Sequence, residues 1–164
     1  MNYKPLNDAC WSSAEVKAEA MLPLIAALKD WKEWDQSHVI WTVEQIAIQT
    51  VKQIIAEMEC LPENTRSQCR TVINTKTALE AAHAASDSAS AVAEKKLSGL
   101  HAMRAASEAS WAAAEAAWGT KRVGETTFSA AKAAAHAAQA AVAEKTSPDN
   151  ILRAACQLWI KAAS

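Results

Sequence analysis

Apolar positions recur along this chain at intervals of three and four residues, the period of one helix face. Val16, Ala20, Met21, Leu24, Leu28 and Trp31 form the first such stripe. The stretch "SSAE" at 12–15 precedes it as a capping box, with Ser12 placed to accept an orphan amide near Glu15 and Glu15 placed to reach back. Pro23 falls inside the stripe and predicts a kink or a restart, because proline lacks the donor and clashes with the preceding turn. "DQS" at 35–37 predicts the next break. Residues 38–58 carry the strongest stripe: Ile40, Val43, Ile46, Ala47, Val51, Ile54, Ile55 and Met58, with Gln45, Gln49, Lys52 and Glu57 mostly off it. "ECLPENT" at 59–65 closes that helix, and residues 1–11 read as an irregular lead-in.

Beyond residue 65 the period persists but the bulk disappears. A third helix is predicted over 66–96, with Val72, Ile73 and Leu79 as its large apolar groups and Ala and Ser filling the rest of its inner face. "LSGLH" at 97–101 is the next boundary, with Gly99 suited to a helix C-terminus. A fourth helix covers 100–118 and stops at Gly119, and "KRVGE" at 121–125 turns the chain. A fifth covers 125–145. "TSPDN" at 146–150 then starts the sixth, Ser147 capping and Pro148 taking the first helical position. This last helix, to 162, buries Ile151, Leu152, Ala155, Leu158 and Trp159. The text "AAHAA", followed by "AVAEK", occurs at 81–95 and again at 134–145. The second copy is three residues shorter and no third exists, so the pattern reads as convergent alanine-rich helix and not as a solenoid.

Alanine has the best helix propensity and loses no side-chain entropy on folding. Its weakness is burial: at about 25 cal/mol per Å² of apolar surface, a methyl contributes far less than a leucine side chain. Alanine-rich helices compensate by approaching closely, near the low end of the usual ~8–10 Å between axes. The expectation is therefore an all-α, single-domain bundle of about six helices over residues 1–164. Helices three to five form a thin layer, and helices one, two and six supply a thicker core.

Composition agrees, since three Gly and four Pro leave few breakers in 164 residues. The net charge of −1 offers no basic patch for nucleic acid, but it is unevenly spread. Residues 1–60 hold five Lys against nine Asp and Glu, while residues 61–122 hold eight basic against six acidic groups. The acidic N-terminal third favours a protein partner with a basic surface. No export signal or membrane-length apolar run is visible, which predicts a cytoplasmic protein with its four cysteines reduced. The loop between Cys60 and Cys69 leaves room for a bridge, against which the missing signal argues.

Candidate chemistry is sparse. No serine elbow or phosphate-cradling glycine loop is present, so no enzyme, cofactor or catalytic residue is expected. His83 and His136 occupy equivalent places in the two alanine-rich copies and could meet as a metal or ligand site if their helices are neighbours. Neither has the thiols or carboxylates to complete a zinc set, so no metal residue is assigned. The seven tryptophans are more informative. Most suit the space that alanine leaves, as core filler. Trp31 and Trp34 stand in the otherwise polar "DWKEWDQ", and with Asp30, Glu33 and Asp35 they are the expected partner-binding residues, because Trp is enriched in interface hot spots.

The stretch from "WTVEQIAIQTVKQIIAEMECLPENTRSQCRTVINTKTALEAAHAA" to "RVGETTFSAAKAAAHAAQAA", residues 41–140, resembles the Imm-5-like, alanine-rich helical immunity proteins of bacterial polymorphic toxin systems. Arg66 and Arg70 fall where that family tends to carry arginines, and Ser67 stands where a proline is more typical. Residues 1–40, the Trp-rich segment, have no counterpart in it. The resemblance implies a non-enzymatic protein that binds and neutralises a cognate toxin. Two alternatives stand beside it: a phage- or mobile-element-encoded inhibitor of a bacterial defence enzyme, and a metal- or small-ligand-binding bundle using His83 and His136.

Overall fold

The computed structural model describes residues 1–164, the side chain of Thr120 excepted. Its helices are α1 (Lys4–Asn7), α2 (Ala14–Leu28), α3 (Gln36–Gln49), α4 (Glu63–Arg70), α5 (Thr75–Ala93), α6 (Leu97–Ala116), α7 (Val123–Ala143) and α8 (Asp149–Ala163). Among the described residues there is no strand, so the fold is all-α. The count is eight helices instead of six, and each extra one has a local cause.

The lead-in contains α1, whose first turn holds Pro5, a residue that suits a position where the amide would be unsatisfied anyway. The Trp11 indole N–H donates to the Leu6 carbonyl at 2.8 Å and folds the following segment back. The third predicted helix is two. It breaks at residues 71–74, where Asn74 takes extended backbone geometry and caps α5. Asn74 and Thr77 form a reciprocal capping box, which competes with continuing the α4 helix.

Other boundaries also move. Ser13, not Ser12, caps α2, accepting from the Val16 amide at 3.2 Å. Ser12 instead donates through its amide to the Asp149 carboxylate at 3.0 Å and through its hydroxyl to the same group. Pro23 sits within α2 without ending it, on the exposed side of the helix. The α3 helix widens into a π-helical turn over Thr50–Ile54 and then tightens into a 3₁₀ turn over Ile55–Glu57. At the widening, the Thr50 hydroxyl donates to the Ile46 carbonyl at 2.6 Å, an extra donor on the backbone ladder.

The α5, α6 and α7 helices form the thin layer, with α6 between the other two. The buried face of α6 is Ala102, Ala105, Ala106, Ala109, Ala112, Ala113 and Ala116, and α7 answers with seven buried alanines from Ala130 to Ala140. Gly99 is not a C-terminus: it lies in the first turn of α6, where the chain has just reversed from α5. A Cβ built there would stand 2.3 Å from the Ala93 nitrogen and 2.4 Å from the Val92 carbonyl carbon. Gly119 lies beyond the end of α6, which closes at Ala116, and at φ +64° it opens the 3₁₀ turn Gly119–Arg122. The thick core lies on the inner side of the layer. Its large buried groups include Leu6, Leu24, Ile46, Val51, Ile54, Ile55, Leu152 and Trp159. The α3 helix runs through this core against α6, α7 and α8, while α2 packs on α8.

The close fit has a measurable consequence. Ala138 is fully buried, so Ala138→Leu overpacks the layer and costs roughly 1–3 kcal/mol. Gly99→Ala meets backbone that cannot rotate away, so it also lowers the melting temperature. Both changes show as lower midpoints in circular-dichroism melts, while Gly124→Ala, with nothing within 4 Å of the added carbon, does not disturb packing.

Candidate functional site

The segment expected to bind a partner is largely engaged within the molecule. Residues Trp31–Glu33 form a single 3₁₀ turn between α2 and α3. Trp31 and Trp34 are half-buried and pack on a small cluster of Val39, Val43 and Val123. The Trp34 ring lies 4.5 Å from His38, which stacks in turn on Trp41 at 6.5 Å. Asp35 caps α3 through the His38 amide at 3.0 Å. Asp30 is exposed and lies 3.7 Å from the Lys29 ammonium, and Glu33 is exposed beside them. Sequence proximity is thus realised as a helix junction, with two indoles as its filler and one carboxylate as its cap.

The strongly exposed aromatics are elsewhere. Trp111 is 59% and Trp118 68% exposed, with Phe128 and Trp41 also open to solvent. Trp111 lies on α6, on the face opposite the buried alanines, and Trp118 lies in the turn that follows the helix, two residues past Ala116. Phe128 stands on the neighbouring α7, with the Lys132 ammonium 5.6 Å from its ring centroid. The expectation that Trp111 and Trp118 fill the core is not met, since both are exposed. The signal for Trp111 is phase: Arg104, Glu108, Trp111 and Glu115 share one stripe of α6, and its charged members mark that stripe as solvent-facing, while Trp118 falls past the helix end. Trp159 does fill the core, at 1% exposure.

Polar groups lace this outer face together across α6 and α7. Lys132 pairs with Glu108, and the Ser129 hydroxyl donates to Glu115 at 3.4 Å. Burial pushes the Glu115 carboxyl above its ordinary range, outweighing the Ser129 hydrogen bond. Both acids belong to the stripe that carries Trp111.

The histidines do not pair as the alanine-rich text invites. Because α6 lies between α5 and α7, His83 and His136 belong to opposite flanks of the layer. His136 is instead near His101 on α6, whose pKa is lowered by burial, then by Arg104 and His136. Among the described residues no three His, Cys, Asp or Glu side chains converge as a metal site. The four cysteines are free, including Cys60 and Cys69.

Arg66 and Arg70, the two family-like arginines, have a structural task. Arg66 Nε donates to the Ala56 carbonyl at 2.9 Å, and Arg70 Nη2 reaches the same oxygen at 3.4 Å. Arg70 also pairs with Glu63 at 2.7 Å and Glu57 at 3.6 Å. They satisfy the carbonyl end of the α3 extension and tie α4 to it.

Glu115 yields a pH test. A raised folded-state pKa means the folded protein holds this proton to higher pH than the unfolded chain does. Stability therefore falls as pH rises from the ordinary glutamate value of 4.5 through the folded value. Glu115→Gln removes that loss: its melting temperature exceeds the wild type at pH 7, and the margin closes as pH drops below 4.5. Compared with known proteins, the chain matches no family model, no curated protein and no solved structure.

Proposed function

We propose that this protein is a non-enzymatic, protein-binding inhibitor, most simply an immunity protein that neutralises a bacterial toxin in the cytoplasm. The observation that carries the reading is the pair of exposed indoles: Trp111, on a helix whose other side is fixed by close alanine packing, and Trp118, in the turn that ends that helix. Exposed tryptophan on a rigid element is the arrangement from which binding hot spots are made: a large contact area with little rotamer entropy left to lose. Phe128 widens the same surface from α7. The resemblance of residues 41–140 to immunity proteins supports the same class of function. Among the described residues no helix is long and apolar enough to cross a membrane.

This reading moves the recognition surface. Trp31 and Trp34 are half-buried at the α2–α3 junction, so they, with Asp30, Glu33 and Asp35, are not the surface this reading starts from. Charge on the outer face is mixed, and the expectation of a basic partner, which rested on the acidic N-terminal third, does not carry over to it.

The test is neutralisation. Toxins encoded beside this gene are expressed in a sensitive host with and without the protein, and growth is scored. The wild type rescues growth against its cognate toxin. Trp111→Ala with Trp118→Ala loses at least about 2 kcal/mol of binding, roughly 30-fold in affinity, and rescue fails while the far-ultraviolet circular dichroism is unchanged. Full rescue by that double variant would reject the outer face. Failure of the wild type against every neighbouring toxin would reject the immunity reading.

A further inference from the structure

A groove of about 450 Å³ opens on the outer face of the layer, next to the exposed aromatics. It crosses α6: Ser86 borders it from α5, Arg104, Ser107 and Glu108 from α6, and Lys132 and His136 from α7. Most of its charges are already engaged. Lys132 pairs with Glu108, and His136 Nδ1 lies 3.0 Å from the Gln139 side-chain oxygen.

Arg104 is different. The chain has five arginines, and four make ion pairs: Arg66 and Arg70 with Glu63, Arg122 with Glu125, and Arg153 with Glu19. Among the described residues Arg104 makes none, although it borders the groove. One turn before it, His101 keeps its Nδ1 buried without a hydrogen-bond partner. Its pKa is lowered by burial first and then by Arg104 and His136.

The geometry points to this groove as a carboxylate-binding site that takes an Asp or Glu side chain from the partner protein. The Arg104 guanidinium offers a planar fork matched to a carboxylate, and Ser86 and Ser107 line the same groove. Glu108 shapes the choice of anion. Its own negative charge, shared with Lys132, is tolerable beside a monoanion and opposes the −1.5 to −2 charge typical of a phosphate group. The aromatics extend the site: Trp111 lies one turn past Ser107, and Phe128 one turn before Lys132. The occupant is therefore an acidic segment with an apolar residue beside its carboxylate. This deepens the proposed use of the outer face and rests on it.

Its test needs no toxin. The isolated, isotope-labelled protein is titrated with a capped hexaglutamate peptide and separately with inorganic phosphate. The Arg104 Nε–H and Trp111 indole N–H resonances are followed by NMR. Hexaglutamate shifts both saturably, and phosphate does not at equal concentration. Arg104→Gln, a change at an exposed position, weakens the peptide at least tenfold, while Lys161→Gln, far from the groove in sequence and also exposed, leaves it unchanged. No saturable shift, equal affinity in Arg104→Gln, or phosphate acting as strongly as the peptide would each overturn the carboxylate site. Such a failure leaves growth rescue by the wild type, and its loss in the tryptophan double variant, intact, so the two readings fail separately.

Discussion

The fold depends on how closely α5, α6 and α7 approach one another. Alanine permits that approach because its side chain ends at Cβ, so backbone atoms of neighbouring helices come into dispersion range and gain contacts that bulky residues would hold apart. The gain is collective and has little slack. At the α5–α6 reversal even Cβ is too large, and Gly99 is required by the 2.3 Å that would separate an added carbon from the Ala93 nitrogen. A layer of this kind is held by fit, with few rotamers to rearrange, which makes it stiff.

Stiffness on one side requires bulk on the other. A methyl-lined face buries too little surface to stabilise a domain alone, so α3, its π-turn and α8 press Ile46, Val51, Ile54, Ile55, Leu152 and Trp159 against it. The helix through this core is not uniform. Its π-turn lies where Thr50 bonds back to Ile46, and the arginines of α4 close its far end at Ala56. Arg66 and Arg70 thus have a structural task, bonding the Ala56 carbonyl and pairing with Glu63 and Glu57.

Period and propensity made the helical class, the alanine layer and the thick core readable from the chain, because all three follow from which residues recur every three or four positions. The division at residues 71–74 was less readable. Val72 and Ile73 continue the helical stripe, and only the side chains of Asn74 and Thr77, acting on backbone groups, decide against it. Which tryptophans stand exposed was not legible: "DWKEWDQ" is polar because it is a helix junction, where Asp35 caps and the indoles fill. Trp111 and Trp118 looked like filler because alanine surrounds them in sequence. In space those alanines point the other way.

The same geometry bears on why the exposed tryptophans matter. A helix packed through alanine has no room for an indole on its inner face, so a tryptophan in α6 can only point outward. Folding alone would select no tryptophan there, since Glu, Lys or Gln favours an exposed helix more and keeps apolar surface out of water. Two indoles at seven-residue spacing, beside Phe128 and an unpaired Arg104, are therefore costs to the isolated protein. They are the residue types that recover such costs at an interface, where burial repays the indole and a carboxylate answers the guanidinium.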